Sequence, residues 1–561
     1  MKKIDKDEYQ KRIDQITDLF ADMMVHAGEQ ATYRCPYKNR LDECTAKFGC
    51  RNQRKPQEPS GLYRCVGDDK IDYRSAWETE LVEGRDGLSG VEGQGTVTHD
   101  GITAPLVVDR SLFDFADDLA VQVPTSCGRS GLCHECIVDV SKGIEGLSPR
   151  TDAESFLREN YRLACQAIVQ EPDIHIEFAP LRRAPRILTL SQEKPVDLDP
   201  AITRIEDLVY ADGNSIDSFR GHIFGLAVDL GTTTVVMDLV DLETGESHHV
   251  SAFENPQRFG GSDVMHRISY DDSYPGELRK SLVNAINHEI ETMCARYDFV
   301  RQEIYEVVVA GNSTMRDLLF RLDVQSIGQK PYRSTVENEF LSGERDHTAL
   351  ELSTRRIGIR VNPKARAYGL PLVASHVGGD VAADIAAIDL ASLEGISVLV
   401  DVGTNTEVVV AVDGHMTAAS CPAGPAFEGG GIKYGMPGYD GAIESIRWQP
   451  DEFVWETIGH ASPEGFCGSG LIDLLAELRR HEHMTPKGVF ADRKQYEMPI
   501  VPEYGLTLSR EDASNLAQAK AANYCGQYIV MRDAGISPSD VDRLFLAGGF
   551  ANYVNIENAV D

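Results

Sequence analysis

The chain has no run of about 18 apolar residues, the length that a membrane-spanning helix needs, so no membrane partner is expected. Its first residues, Met1-Lys-Lys-Ile-Asp-Lys-Asp-Glu, are charged and carry no apolar h-region. A secretory leader is therefore not expected. Positive charge is scarce: 55 Lys and Arg stand against 88 Asp and Glu, a net charge of −33. That argues against a nucleic-acid partner, which would favour basic surface. A Gly-x4-Gly-Lys-Ser/Thr loop is also missing, so a Walker-type phosphate site is not supported. These absences imply a cytoplasmic protein. There, twelve cysteines serve better as ligands or buried thiols than as disulfides.

What is present is ordinary in bulk and unusual in pattern. The 561 residues are 42% apolar and 25% charged, as in soluble globular proteins, and suggest about three to five domains. One stretch occurs twice. Phe224-Gly-Leu-Ala-Val-Asp229-Leu-Gly231-Thr232-Thr233-Thr234 and Ile396-Ser-Val-Leu-Val-Asp401-Val-Gly403-Thr404-Asn405-Thr406 each read as an apolar strand and a polar turn. A second β-branched strand and a turn signal follow, Thr244-Gly245 in one and Asp413-Gly414 in the other, so each is expected to be a β-hairpin with a Gly-Thr tip. Glycine lets backbone approach a ligand, and the hydroxyls and N–H groups of Thr232, Thr233, Thr404 and Asn405 can hold phosphate oxygens. Asp229 and Asp401 cannot bind phosphate, but each can hold a hydrated Mg²⁺ that does. One copy alone would be a plain turn; two on matched strands predict a clamp.

A second pair of motifs, Ala310-Gly311-Asn312-Ser313-Thr314 and Ala547-Gly548-Gly549-Phe550, follows the hairpins. Each reads as strand, small-residue turn and helix start, so two related lobes are expected in series. This pattern resembles the actin, sugar-kinase and heat-shock chaperone ATPase superfamily. The resemblance implies that Gly231 to Thr233 and Gly403 to Asn405 hold ATP phosphates, that Asp229 and Asp401 are catalytic, and that Gly548 and Gly549 lie by the adenosine. In the second lobe, glycine-dense Gly424 to Gly435 and Gly468-Ser469-Gly470 mark further places where backbone meets ligand. A helix from Asp380 to Leu390 is expected to pack between the lobes.

Eight of the cysteines fall in two sets. Cys127, Cys133, Cys136 and Cys165 form a Cys-x5-Cys-x2-Cys run with a distant fourth thiol. Thiolates select iron–sulfur clusters or zinc, and the short, small-residue loop lets N–H groups point at sulfides. Strand-like segments at 95–98, 104–108, 136–140 and 174–178 and a helical pattern at 112–119 surround it. The region is similar to a [2Fe–2S] ferredoxin, with the first gap five residues rather than the plant-type four; zinc is the rival. His134 is expected to be a loop residue, not a ligand. The other set, Cys35, Cys44, Cys50 and Cys65, could hold Zn²⁺ or a second iron–sulfur cluster, or remain free thiols. A helix is expected over 7–27. The remaining cysteines, Cys294, Cys421, Cys467 and Cys525, are expected to pack as small apolar groups.

The expected architecture is multidomain, α/β and α+β. A Cys-containing extension (1–91) precedes a small β-grasp ferredoxin-like domain (92–180) and a linker (181–220) with one helix near 202–209. A two-lobed actin-like, ribonuclease-H-like ATPase follows, with lobes at 221–395 and 396–561, the second expected to be cut short. A [2Fe–2S] domain, a linker and an actin-like ATPase in this order resemble the reductive activators of corrinoid proteins. Asp229-Leu-Gly-Thr-Thr-Thr, Asn255-Pro-Gln, Ala310-Gly-Asn-Ser-Thr-Met, Asp401-Val-Gly-Thr-Asn-Thr-Glu, Pro422-Ala-Gly-Pro-Ala-Phe-Glu-Gly and Cys467-Gly-Ser-Gly carry the resemblance. It implies an ATP-hydrolysing electron-transfer activator that returns a Co(II) corrinoid protein of a methyltransferase or demethylase system to Co(I). It also implies an external low-potential electron donor. The step is uphill: plant-type clusters lie near about −400 mV, and each further ~100 mV against one electron costs about 2.3 kcal/mol. Rival readings are an activator of a radical dehydratase, a small-molecule kinase with a redox-sensing cluster, and a nucleotide-gated scaffold. A homodimer is open.

Overall fold

The computed structural model describes residues 92–121, 123–125, 127–181, 198–449, 452–549 and 553–560, and the backbone of three short strands before them. The chain divides into two compact units at Val91/Glu92. In the first, strands Glu43–Cys44, Gln53–Arg54 and Tyr63–Cys65 form an antiparallel sheet with the last strand in the centre. Cys44 and Cys65 lie on these strands; Cys35 and Cys50, and the helix expected over 7–27, fall outside the described residues.

The second unit opens with five strands, β1 (Glu92–His99), β2 (Ile102–Val107), β3 (Ile137–Lys142), β4 (Tyr161–Leu163) and β5 (His175–Pro180). They form one sheet in the order β2-β1-β5-β3-β4. Helix α1 (Leu112–Asp118) starts at Ser111, whose hydroxyl and the Asp114 carboxylate make a capping box, and buries Leu112, Phe113, Phe115 and Ala116 on the sheet. Residues 202–218, expected as linker with one helix, are instead a three-stranded meander: β6 (Ile202–Ile205), β7 (Leu208–Ala211) and β8 (Asn214–Ser218). Asp212-Gly213 explains the correction, because both residues adopt positive φ (48° and 77°), the signature of a tight hairpin turn. Ile202 and Val209 then bury against Ile223 and Tyr305, which outweighs local propensity.

The two lobes repeat one topology. In the first, β9 (Phe224–Leu230), β10 (Thr234–Asp241) and β11 (Ser247–Glu254) form an antiparallel run, and β12 (Ile304–Gly311) lies parallel on the other side of β9. β13 (Leu350–Ser353) and β14 (Arg366–Gly369) extend the sheet to β11-β10-β9-β12-β14-β13. In the second, β15 (Ile396–Val402), β16 (Thr406–Val412) and β17 (His415–Cys421) repeat the run, with β23 (Arg543–Ala547) parallel to β15. Between them in the chain lie β18 (Ala442–Gln449), β19 (Glu452–Thr457), β20 (Gly465–Phe466), β21 (Glu497–Val501) and β22 (Leu506–Ser509). Both hairpins match the expectation from the repeated motif.

Helices brace these sheets. α2 (Val264–Ser273) and α3 (Glu277–Tyr297) follow β11, and α3 buries Leu278, Leu282, Ile286, Ile290 and Met293 along one face at helical spacing. α4 (Ser313–Leu319) follows β12. α5 (Gly379–Ala387) connects the lobes, where a helix from Asp380 was expected. α6 (Gly468–Arg480) and α7 (Arg510–Asp533) pack in the second lobe. One apolar core runs without a break from Val97 of the five-stranded sheet to Ala367 of the first lobe. Of the thiols expected to pack as small apolar groups, Cys467 is buried while Cys525 is exposed. No helix among the described residues is long and apolar enough to cross a membrane.

Candidate functional site

The cysteine loop leaves α1, turns back and feeds β3. Arg129 and His134 adopt positive φ, 66° and 59°, so the chain coils tightly there. Arg129 fixes the coil to α1, donating to Asp114 at 3.0 Å and pairing with Asp117, while its guanidinium lies 4.1 Å over the Phe113 ring. The four thiols gather in two pairs. Cys136 Sγ and Cys165 Sγ are 3.3 Å apart. Cys127 Sγ and Cys133 Sγ are 4.0 and 3.9 Å from the same Thr125 hydroxyl.

Burial would raise the Cys127 thiol, but hydrogen bonds from Ser130 and from Cys133 and Leu132 outweigh it, leaving it at about 5. Cys165 sits near 7 through its hydrogen bond with Cys136, against burial. Cys136 takes the opposite shift, upward, from that same bond and from burial. Among the described residues no three His, Cys, Asp or Glu side chains converge as a single metal ion requires. Two thiol pairs, three thiols from the loop and Cys165 from just after β4, suit four-thiolate ligation of two irons better than one tetrahedral zinc.

The second locus is the cleft between the hairpin tips. Thr233 and Thr404 are 3.4 Å apart through their hydroxyls, and both donate to Glu428 Oε2, at 2.9 and 2.6 Å. The structure therefore brings the two tips together around a carboxylate. Gly231 must be glycine, because a Cβ there would lie 2.6 Å from Thr234 O. The first tip is held by amides and a guanidinium. Asn255 Nδ2 donates to Gly231 O at 2.8 Å, Arg267 Nη2 to Thr232 O at 2.7 Å, and Asn312 Nδ2 to Thr232 Oγ1 at 3.0 Å.

Asp229 and Asp401 occupy matched places, each beside a parallel strand at Ala310 and Ala547. Asp380 and Asp384, one turn apart on α5, face them. Asp229 opens to the cleft although protein surrounds it, and burial, then the charge of Asp380, pushes its carboxyl up to about 6. Asp384 is pushed up to about 7 by burial, Asp380 and Asp229, and hydrogen-bonds Asp401. Burial, Asp384 and Glu407 hold Asp401 well above the usual carboxylate range. Carboxylates that repel one another in a cleft are relieved by a divalent cation. Since they do not converge as direct ligands, a hydrated Mg²⁺ bound partly through water fits them.

A cavity of about 100 Å³ continues from the tips, lined by Thr233, Val402, Glu428, Cys467, Ser469 and Gly549 among others. Gly548, next to the lining residue Gly549, takes φ 103°, and a Cβ there would lie 2.2 Å from Val402 O. Cys467, Gly468 and Ser469 at the start of α6 also line it, with no side chain capping that helix. Asp380, Asp384, Glu407 and Glu428 were not identified from sequence as site residues. The Asp380/Asp384 spacing of four on the inter-lobe helix was the available signal.

Three family models match in succession. Residues 96–170 match the 2Fe-2S iron-sulfur cluster binding domain, 224–392 the RACo middle region, and 395–561 the C-terminal domain of RACo, the ASKHA domain. The chain is 30% identical over 514 residues to the corrinoid activation enzyme RamQ of Eubacterium limosum, covering 80% of this chain and 84% of that one. The chain belongs to the reductive activators of corrinoid proteins. A second relative, the [Co(II) methylated amine-specific corrinoid protein] reductase of Methanosarcina barkeri, is 22% identical over 375 residues, 60% of this chain and 65% of that one. The solved structure of a reductive activator for corrinoid,iron-sulfur protein superposes with a TM-score of 0.58 at 28% identity, covering 83% of this chain and 88% of that one. In this activator the cysteine loop belongs to the first matched domain, and the two tips fall one in each of the other two.

Proposed function

We propose that this chain is an ATP-dependent reductive activator that returns the Co(II) corrinoid protein of a methyltransferase system to Co(I). The observation that carries the reading is the joining, in one continuous unit, of four paired thiols, those of the cysteine loop and Cys165, and a cleft whose two Gly-Thr tips meet at Glu428. When bound through Cys127, Cys133, Cys136 and Cys165, a [2Fe–2S] cluster supplies single electrons at low potential. Thr232, Thr233, Thr404 and Asn405 hold the nucleotide phosphates, with Gly231 and Gly403 letting the backbone close in. Asp229 and Asp401 hold hydrated Mg²⁺ and orient the attacking water, and Gly548 and Gly549 flank the adenosine. Phosphates arriving at Thr233 and Thr404 must displace Glu428, which now occupies both hydroxyls. Nucleotide thus exchanges one inter-lobe contact for another and changes the cleft. Differential grip on the corrinoid protein in the two cleft states is what allows ATP to bias an uphill reduction.

The partner is a corrinoid protein, and the electron donor is a separate low-potential carrier. The test is anaerobic. Reduced activator and a Co(II) corrinoid protein are mixed with and without Mg-ATP, and the cobalt spectrum is followed. Co(I) forming only when both activator and ATP are present is the expected result. Phosphoryl transfer from ATP to a small molecule, with no change at cobalt, would instead make the chain a kinase.

A further inference from the structure

We propose that the first phosphate tip and the cysteine loop are coupled through a buried polar layer ending in the Glu277–His134 contact. The inference rests on the function proposed above, in which the tip takes nucleotide phosphate and the loop holds the cluster. The route can be followed atom by atom. Asn255 and Arg267 hold the backbone carbonyls of Gly231 and Thr232. Asn255 Oδ1 accepts the Gln257 N–H at 3.0 Å, and Arg267 Nη1 reaches Gln257 Oε1 at 3.4 Å. Gln257 Nε2 then donates to Leu278 O, in the first turn of α3, at 3.2 Å. Asn255, Gln257 and Arg267 are at most 1% exposed, so water cannot substitute for any of these bonds.

At the other end, Glu277 opens α3 and points away from this layer. Its Oε2 lies 2.9 Å from His134 Nδ1. A carboxylate only accepts, so Nδ1 carries the hydrogen. His134 stands between Cys133 and Cys136 in the left-handed region, φ 59°. Its ring stacks on Phe156, 4.2 Å between centroids. A second strut reaches the same place: Tyr270, on α2 with Arg267, donates its hydroxyl to Phe156 O. Both struts begin at the Gly231-Thr232 backbone and end on His134.

The loop has room to move about this pin. A cavity of about 270 Å³ separates Pro124, Thr125 and Glu135 from Asn284 and His288 of α3. A close-packed buried layer shifts between discrete arrangements rather than bending gradually. Displacement of the tip by phosphate therefore reaches His134 as a change in how the loop is held. The potential of an iron–sulfur centre follows the hydrogen bonds and exposure of its sulfurs. Coupling of this kind is reciprocal: if nucleotide changes the reduction equilibrium by some factor, reduction changes nucleotide affinity by the same factor.

The test uses the full-length, cluster-loaded protein under anaerobic conditions with a Mg²⁺-bound, non-hydrolysable ATP analogue. Analogue affinity is titrated for oxidised and dithionite-reduced protein, and the midpoint potential is measured with and without analogue. The expected coupling factor is about tenfold, which for one electron is about 59 mV. Glu277→Ala, which removes one of the two struts, lowers the affinity ratio toward one and shrinks the potential shift in step, with the visible spectrum and analogue binding retained. Glu277→Gln, whose side-chain oxygen still accepts from His134, restores them. In cluster-free protein, hydrogen exchange over residues 127–136 slows on analogue binding in the native chain and in the Gln variant, and slows less in the Ala variant. A ratio of one in the native protein, or an unchanged ratio in Glu277→Ala, overturns the coupling alone. Failure to bind analogue, or absence of a [2Fe–2S] spectrum, overturns the proposed function and this inference with it.

Discussion

The two hairpin tips share a topology and differ in what holds them. Beside β9, Asp229 faces Val236 across the antiparallel ladder. Beside β15, Asp401 faces Glu407. Like charges directly opposite destabilise a sheet; burial first, then Asp384 and Glu407, raise Asp401, while burial and then Asp380 raise Glu407. The first tip is also tied down by neutral amides and the Arg267 guanidinium, while Glu428 takes the hydroxyls of both tips. The first sheet continues past its parallel strand β12 to β14 and β13, whereas β23 is the last strand of its sheet among the described residues and exposes Leu544 and Leu546. One sequence motif thus serves two purposes. The first tip is braced by a polar layer that leads toward the cysteine loop, and the second is an electrostatically loaded half that a cation and a polyphosphate would settle.

The largest effect separates both tips from the loop. Replacing Cys127, Cys133, Cys136 or Cys165 with Ala removes the [2Fe–2S] absorption and all electron delivery, while Mg-ATP binding persists, because no tip residue touches a thiol. An unchanged visible spectrum in all four variants would remove the loop from the mechanism. Next, Asp229→Asn and Asp401→Asn each lower Mg-ATP hydrolysis by about 100-fold, the loss expected when a group stabilising transition-state charge is removed. Cobalt reduction falls with it. Loss of hydrolysis with full cobalt reduction would show that the cleft does not drive the electron step.

A stability measurement then contrasts the two kinds of bracing. Arg267→Met strips donors from Thr232 O and the half-buried Gly261 O, the buried Thr232 carbonyl left bare costing about 1–3 kcal/mol. Glu428→Gln keeps an acceptor for Thr233 and Thr404 and removes a charge that burial disfavours, so denaturant unfolding finds it as stable as the native chain or more so. Equal losses in the two variants would erase the distinction between the tips.

How much of this was legible in the chain follows the same divide. The tips were visible because a strand–Gly-Thr–strand pattern is local, and the paired thiols because four cysteines at that spacing have few uses. The meander at 202–218 was not legible because its apolar residues are few and its turn rests on the single pair Asp212-Gly213; burial against Tyr305 and Ile223 completes it. The carboxylates of the cleft were missed for a different reason. Asp380 and Asp384 lie on the inter-lobe helix and Glu428 in a glycine-rich turn, and only the folding of the second lobe against the first places them together. His134 lies in the loop, where it was expected, but its contact with Glu277 was not legible because that partner is 143 residues away.

The smallest expected effect is the most specific to the second tip. Glu407 is 7% exposed and accepts a hydrogen bond from Ser420 at 2.7 Å. Burial, then the charge of Asp380, lifts its carboxyl from the ordinary 4.5 to about 8. A folded-state pKa raised above the unfolded value means that the group's contribution to stability is fully present below about 4.5. It is lost as pH rises through about 8. Glu407→Gln is neutral at every pH and keeps an acceptor for Ser420. Thermal unfolding of the nucleotide-free protein should therefore give nearly equal Tm values for native chain and variant at pH 5. The variant should gain by a few degrees toward pH 8 to 9. Added Mg-ATP should narrow the gap, because a cation in the cleft stabilises the ionised form that the variant lacks. A gap independent of pH would mean that Glu407 stays ionised throughout, and the two tips would then differ in shape but not in charge.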